Sequence, residues 1–161
     1  MTLNKILKNT LLIISACLLL SACATQKTVT SGSQMQGDVY TGTDTVKELA
    51  PGVPDRVFFA TNESILTTAS RETLRKQAEY LRKNSSMNIV LEGHADERGT
   101  REYNLALGER RANAAKDYLM TYGISASRIS VISYGKERPV DSGSNTLAWS
   151  KNRRSVTVKA N

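Results

Sequence analysis

The sequence predicts an α/β domain in which two main helices pack on one mixed four-stranded sheet, in the order β-α-β-α-β-β. Three observations support this fold class. Two long segments have helical periodicity and capping residues, short apolar segments typical of strands alternate with them, and the 161 residues leave room for one domain of about 100 residues plus tails. Strands that alternate with helices indicate helices packed on a single sheet.

The first half of the predicted domain contains two strands with a helix between them. The strands are expected over residues 56–59 and 87–92. Thr67 can cap a helix that runs from residue 68 to about residue 84, because its hydroxyl can accept a hydrogen bond from the first turn. The apolar face of this helix is formed by three residues at helical spacing, Leu74, Ala78 and Leu81.

The second half begins with a longer helix. Thr100 can cap it, and Gly123 is a suitable stop just beyond its last residue. Helical periodicity predicts a buried stripe of Tyr103, Leu107, Ala114 and Tyr118. The remaining elements are two strands and a short helical turn between them, predicted over residues 129–133, 155–159 and 147–149 respectively.

Two adjacent arginines flank the predicted stripe of this second helix. Arg110 and Arg111 fall on either side of it, and side chains tilt toward a helix N-terminus. One of them can therefore lean toward the charged loop that contains Asp96. Helix geometry leaves open which of the two arginines does so.

The N-terminus is typical of a bacterial lipoprotein signal. Lys5 and Lys8 precede an apolar segment of residues 10–20, which is too short to span a bilayer, since spanning takes about 20 residues. The segment ends in small residues before Cys23. We therefore expect residues 1–22 to be a signal peptide and Cys23 to be lipidated, which would anchor the chain through its acyl groups.

Cysteine usage favours lipidation over an ordinary signal peptide with an incidental cysteine. The chain has two cysteines, and cleavage before Cys23 would remove Cys17 with the signal. Cleavage before Cys17 would leave an apolar segment too short for a signal. Residues 23–55 are rich in Thr, Ser, Gly and Gln, so we expect a lipidated cysteine followed by a flexible linker, with the folded domain over residues 56–161.

Charge and motif content favour a binding protein over an enzyme. The net charge is +7, but the basic residues are scattered, which favours a solvated basic surface over nucleic-acid binding. His94 is the single histidine, and no metal-binding, nucleotide-binding or serine-hydrolase motif accompanies it. The sequence therefore predicts no catalytic residue, no metal and no cofactor, and gives His94 a role in shaping the loop through hydrogen bonds.

The charges around Asp96 suit a zwitterionic ligand. An aspartate pairs with an ammonium group, and an arginine grips a carboxylate through two parallel hydrogen bonds. The free end of a diaminopimelate side chain presents both groups. The alternative is a set of surface ion pairs, each worth less than about 1 kcal/mol.

Three segments carry a family resemblance: GHADERGTREYNLALGERRANAAKDYL from Gly93, ISVISYGKERPV from Ile129 and SKNRRSVTV from Ser150. They resemble the OmpA-like C-terminal domain family, over about residues 56–159. The resemblance implies a non-covalent hold on the diaminopimelate peptide of peptidoglycan. It assigns the ligand amine to Asp96 and the ligand carboxylates to Arg111, with Asn104, Leu107 and His94 as supporting residues.

The resemblance also implies a cellular setting. With the lipid anchor at Cys23 it points to the lipoproteins of the Tol–Pal system, which sit in the outer membrane and face the periplasm. Ala24 after the cysteine resembles an outer-membrane sorting signal. The implied partners are peptidoglycan, the periplasmic β-propeller protein of the Tol system, and outer-membrane lipid. Two alternatives are a peptidoglycan hydrolase that uses His94 with Asp96, and a protein-only adaptor for the propeller.

Overall fold

The computed structural model describes residues 35–160. The predicted signal peptide, Cys23 and the first part of the predicted linker lie outside the described residues. The elements in chain order are β1 (Met35–Gln36), β2 (Val39–Tyr40), β3 (Glu48–Ala50), β4 (Val53–Pro54), β5 (Arg56–Phe58), α1 (Thr68–Lys83), β6 (Ile89–His94), α2 (Arg101–Thr121), a 3-10 turn (Ala126–Arg128), β7 (Ile129–Gly135), α3 (Thr146–Asn152) and β8 (Arg154–Lys159). Within residues 35–160, no helix combines the length and the apolar character needed to cross a bilayer.

The main sheet has four strands in the order β5-β8-β6-β7. β6 and β7 run parallel, and β8 is antiparallel to both β5 and β6, so the sheet is mixed. Apolar residues of α1, α2 and three strands form one core, among them Val57, Leu81, Leu91, Ala115 and Leu119. The predicted fold class is confirmed, and the short helical turn predicted before the last strand is helix α3.

The predicted helix boundaries follow from capping. The Thr67 hydroxyl oxygen accepts a hydrogen bond from the Ser70 N–H at 3.1 Å, and that of Thr100 accepts one from the Tyr103 N–H at 3.2 Å. At the other end of α2, Gly123 has a φ of +83°, which favours glycine and ends the helix. The starts of both helices and the end of α2 were therefore predictable from residue type alone.

The predicted buried stripe of α2 is wrong except for Leu107. Tyr103 is 42% exposed, and Ala114 and Tyr118 are only partly buried. The residues that α2 buries are Asn104, Leu107, Gly108, Arg111, Ala112, Ala115 and Leu119. Several of these are polar or very small, so hydrophobic periodicity pointed to a face rotated away from the true one.

Two glycines explain why small residues are required on this face. A Cβ built on Gly93 of β6 would lie 1.8 Å from the carbonyl oxygen of Gly108 on α2. A Cβ on Gly108 would in turn lie 2.4 Å from Ser133 Oγ on β7. The helix therefore packs backbone to backbone on the sheet, and this close approach brings the middle of α2 beneath the end of β6.

The prediction of a flexible linker is wrong for residues 35–55, which form two short antiparallel hairpins, β1–β2 and β3–β4. Tyr40 and Leu49 are buried, and the ring of Tyr40 packs edge-on against Phe58 with centroids 4.8 Å apart. Asp55 adds a hydrogen bond from the Lys47 N–H to its Oδ1 at 3.0 Å. Composition did not predict these hairpins, because a few buried side chains and hydrogen bonds hold a segment that is polar on average.

Candidate functional site

The site lies in the loop of residues 95–100, which joins the end of β6 to the start of α2. The loop is fixed from two sides. Asn104, in the first turn of α2, donates from Nδ2 to the Arg98 carbonyl at 2.8 Å. Lys136 donates from Nζ to two carbonyls of the same loop, at 3.1 and 2.8 Å. These contacts hold Asp96 at the sheet edge with only 7% of its surface exposed.

Asp96 accepts four hydrogen bonds or ion-pair contacts through its carboxylate. Oδ1 accepts from the Arg98 N–H at 3.1 Å and from Arg98 Nε at 3.0 Å. Oδ2 accepts from Arg98 Nη2 at 2.6 Å and from Arg153 Nη1 at 3.4 Å. Two arginines therefore surround the residue that the sequence assigned to a ligand amine.

These donors determine the charge of Asp96. Burial by itself raises the pKa of this carboxyl group, but the hydrogen bonds from Arg98 and the positive charges of Arg98 and Arg153 outweigh it. The net pKa lies below the ordinary value of 3.8. Asp96 is therefore ionised at neutral pH, as an ammonium-binding group must be.

Arg153 was not predicted to take part. It precedes β8 and is almost fully buried. It donates from Nε to the Phe59 carbonyl at 3.0 Å and from Nη2 to the Asp38 carbonyl, besides its contact with Asp96. The Arg153-Arg154 doublet was visible in the sequence, but only the fold shows that the first arginine reaches this loop.

Arg111 lies beneath the site and has no exposed surface. It donates to three backbone carbonyls, from Nε to Glu63 at 2.8 Å, from Nη1 to His94 at 2.9 Å and from Nη2 to Ala60 at 3.0 Å. It thereby ties the loop after β5 to the end of β6. The neighbouring Arg110 is exposed, so the arginine that points toward the loop is Arg111.

The charge of Arg111 has no carboxylate partner within residues 35–160. Burial and the nearby charge of Arg153 lower the pKa of Arg111 to about 10, so it remains protonated at neutral pH. Two of its five N–H groups are not used by the three carbonyls. In the protein without ligand, the charge of Arg111 therefore supplies a positive potential near Asp96.

The His94 side chain does not join Asp96. Its ring packs on Tyr134 with centroids 5.5 Å apart, and its Nε2 lies 3.8 Å from Glu92 Oε2. Among residues 35–160 neither ring nitrogen has a hydrogen-bond partner, so the described part of the chain does not form the hydrogen bonds predicted for this side chain. Burial, with the charges of nearby arginines, lowers its pKa to about 3, and the ring is neutral at neutral pH. Only its carbonyl serves the site, by accepting from Arg111.

Trp149, which lies beside Arg98 at the edge of the site, was also missed by sequence reasoning. The guanidinium of Arg98 lies 4.4 Å from the ring centroid of Trp149, a cation–π arrangement. Trp149 Nε1 donates to Glu97 Oε1 at 2.9 Å, and Ser144 Oγ donates to the same oxygen at 2.6 Å. Trp149 is thus held in place beside Arg98, on a helix that the sequence predicted only as a turn.

The two remaining sequence-predicted residues lie under the loop. Asn104 and Leu107 are both buried on the sheet-facing side of α2. Asn104 holds the Arg98 carbonyl as described, whereas Leu107 packs in the interior. Neither presents a polar atom to the surface of the site.

The arrangement as a whole is a buried carboxylate among three cationic side chains, Arg98, Arg111 and Arg153, at an exposed loop. Such a set contains both charges that complement a ligand with an ammonium and a carboxylate on one end. The described residues bring no nucleophile and base together here, because His94 packs elsewhere.

Comparison with known proteins agrees with this architecture. A sequence model of the OmpA family matches residues 58–153. The chain is 43% identical over 145 residues to the peptidoglycan-associated lipoprotein of Mesorhizobium japonicum, which covers 89% of this chain and 86% of that protein. It is 48% identical over 97 residues to the peptidoglycan-associated lipoprotein of Pseudomonas aeruginosa, covering 60% and 57% of the two chains.

Solved structures share the fold. The crystal structure of the peptidoglycan-associated lipoprotein from Burkholderia pseudomallei superposes with a TM-score of 0.64 at 35% identity, covering 66% of this chain and 90% of that one. The C-terminal domain of Helicobacter pylori MotB superposes with a TM-score of 0.62 at 19% identity, covering 66% and 84%. The second likeness concerns the fold alone. On the family match and the identity to its relatives, the chain belongs to the OmpA family.

Proposed function

We propose that this protein is an outer-membrane lipoprotein that binds the diaminopimelate peptide of peptidoglycan without covalent attachment and without catalysis. The observation that carries the proposal is the ionised, buried Asp96 among three arginines at an accessible loop. Its relatives are named peptidoglycan-associated lipoproteins, a name that describes a binding role and not an enzyme.

The chemistry of the ligand matches the charges of the site. The free end of diaminopimelate carries one ammonium and one carboxylate on the same carbon. In our proposal the ammonium pairs with Asp96, and the carboxylate is attracted by the positive potential of Arg111. Because Arg111 has no exposed surface in the free protein, direct contact with the carboxylate requires the loop after β5 to shift. The carbonyls of Ala60 and Glu63 would then move with that loop.

The proposed anchor and partner complete the cellular role. Lipidation at Cys23 would hold the chain in the outer membrane with its domain in the periplasm, and the domain would tie that membrane to the wall. We further propose that the periplasmic β-propeller protein of the Tol system binds the same domain. The protein would then act in the Tol–Pal system, in envelope integrity and in constriction of the outer membrane during division.

Co-sedimentation with purified sacculi tests the binding role. The full-length chain, purified in detergent, should sediment with sacculi, and a free tripeptide that ends in meso-diaminopimelate should release it. The matched tripeptide with lysine in place of diaminopimelate lacks the carboxylate beside the side-chain amine and should release far less. Equal release by the two peptides, or no sedimentation at all, would contradict recognition of a zwitterion.

The geometry disfavours the alternative of a hydrolase that uses His94 with Asp96. The His94 ring is neutral, packs on Tyr134 and makes no hydrogen bond to Asp96. We therefore expect no loss of sacculus turbidity on incubation with the protein. A protein-only adaptor would fail to sediment with sacculi in the absence of any other protein, so the same experiment separates it from the proposed function.

A further inference from the structure

Asp96 has no free acceptor position in the unliganded protein. An ionised carboxylate offers about four lone-pair sites. The Arg98 N–H and Arg98 Nε occupy Oδ1, while Arg98 Nη2 and Arg153 Nη1 occupy Oδ2. A ligand ammonium can therefore reach this carboxylate only if one of these donors leaves.

Two of the donors are fixed. Arg153 is almost fully buried and is held by the Phe59 and Asp38 carbonyls. The Arg98 N–H belongs to the backbone of a loop that Asn104 and Lys136 hold. Neither can leave without breaking several other hydrogen bonds.

The Arg98 side chain is free to leave by comparison. It is 41% exposed, and its one further hydrogen bond to a described residue is a long contact of 3.3 Å from Nη2 to Thr61 Oγ1. Its guanidinium covers both carboxylate oxygens, so a single rotation of this side chain uncovers one position on each. Trp149 flanks the guanidinium on the other side.

We propose that the Arg98 side chain is an internal competitor for the ligand ammonium, so that binding exchanges one ion pair on Asp96 for another. This inference rests on the proposed function. Arg98 keeps Asp96 ionised and compensated while the site is empty, and it must swing off the carboxylate for the ligand to enter. The affinity for the wall peptide is then set by the difference between two ion pairs, not by the strength of one.

The exchange has an optical consequence. Trp149 is the single tryptophan of the chain, and the cation beside its ring lies 4.4 Å from the ring centroid. Displacement of Arg98 removes that cation from the ring. Ligand binding should therefore change tryptophan emission in the parent protein, and should change it less once the cation has been removed by mutation.

The test compares Arg98→Gln with Arg101→Gln. Arg101 is an exposed arginine nearby that pairs with Glu137 at 3.3 Å, so its variant removes the same charge without touching Asp96. Calorimetry on the full-length chain with L-alanyl-γ-D-glutamyl-meso-diaminopimelate should show Arg98→Gln binding about threefold to tenfold more tightly than the parent. Arg101→Gln should bind as the parent does, and urea unfolding should show both variants folded.

A second ligand isolates the ammonium. When the amine at the free end of the diaminopimelate side chain is acetylated, the advantage of Arg98→Gln should disappear. Equal or weaker binding of the unmodified tripeptide by Arg98→Gln than by Arg101→Gln would overturn the inference while leaving peptidoglycan binding intact. An unchanged Trp149 emission on binding to the parent would also overturn it. Absence of binding by all three proteins would instead overturn the proposed function, and this inference with it.

Discussion

His94 and Asp96 lie two residues apart and are both buried near arginines, yet His94 is neutral and Asp96 is charged. Asp96 is ionised and receives four donors from two arginines. His94 is neutral, and neither of its ring nitrogens has a hydrogen-bond partner in the described part of the chain. The difference shows that two polar residues of one short motif have separate tasks: one packs against the sheet, and the other holds a charge at the loop.

The physical cause of the difference is the supply of hydrogen-bond donors. Burial disfavours the charged form of both residues. At Asp96 the arginine donors overcome this cost, whereas the cations near His94 add to it, because they repel a second positive charge. Mutations can test this separation of tasks. The first alters Gly93, the residue of β6 on which α2 packs directly.

Gly93→Ala should have the largest effect. The new methyl group would lie 1.8 Å from the backbone carbonyl oxygen of Gly108, so α2 must move away from β6, at a cost of about 3 kcal/mol or more. Gly123→Ala is the control, since its Cβ meets no atom within 4 Å and only its positive φ is unfavourable; it should cost about 1 kcal/mol. Urea unfolding measures both, and equal costs would refute the close approach.

Arg111→Met should have the next largest effect. It leaves the carbonyls of Ala60, Glu63 and His94 without their donor, which should lower the free energy of unfolding by about 2–3 kcal/mol. Leu74→Met introduces the same side chain at a buried position of α1 and should cost less than about 1.5 kcal/mol. If the two variants were equally stable, Arg111 would not be the tie between the loop and the strand.

Asp96→Asn should separate binding from packing. Loss of the carboxylate charge should weaken binding of the diaminopimelate tripeptide by about tenfold or more, because the ammonium loses its counter-charge. Asp141→Asn removes a carboxylate that pairs with Lys151 at 3.2 Å and should bind like the parent. His94→Phe should also bind like the parent. Weakening by His94→Phe as large as that by Asp96→Asn would contradict the separate tasks of the two residues.

Stability in acid should also depend on His94. Burial lowers the pKa of His94 from 6.5 to about 3, so between these values the unfolded chain binds a proton that the folded chain does not. The contribution of the neutral His94 ring to the free energy of unfolding is fully present above pH 6.5 and is lost as the pH falls toward 3. His94→Phe should therefore flatten the dependence of unfolding free energy on pH in this window. Asp96→Asn should change the profile only below about the ordinary carboxyl pKa of 3.8, because the pKa of Asp96 is lowered from that value.

The sequence was sufficient for elements whose burial is apolar and whose ends carry caps. In α1 the residues Leu74, Ala78 and Leu81 recur at helical spacing and are all buried, so periodicity identified the correct face. In α2 the buried face includes Asn104 and Arg111. Hydropathy cannot identify such a face, because its polar groups are satisfied by hydrogen bonds that form only in the fold.

The same reasoning explains what was missed at the site. Arg111 reaches carbonyls 48 and 51 positions earlier in the chain, and Arg153 reaches Asp96 across 57 positions. Spacing along the sequence carries no signal for contacts of this range. Family resemblance assigned a role to Arg111 but did not indicate that its guanidinium is fully enclosed, nor that Arg98 already covers the proposed partner of the ligand.

One contact of the first hairpin has a mechanical consequence. Asp38 lies between β1 and β2; its Oδ2 accepts from the Thr61 N–H at 2.6 Å, and its carbonyl accepts from Arg153, the arginine that also contacts Asp96. If the chain is tethered at Cys23 as we propose, tension from the membrane would enter the domain at this hairpin and would reach the proposed wall-binding loop through Arg153. The membrane and the wall would then pull on the two terminal nitrogens of one guanidinium group.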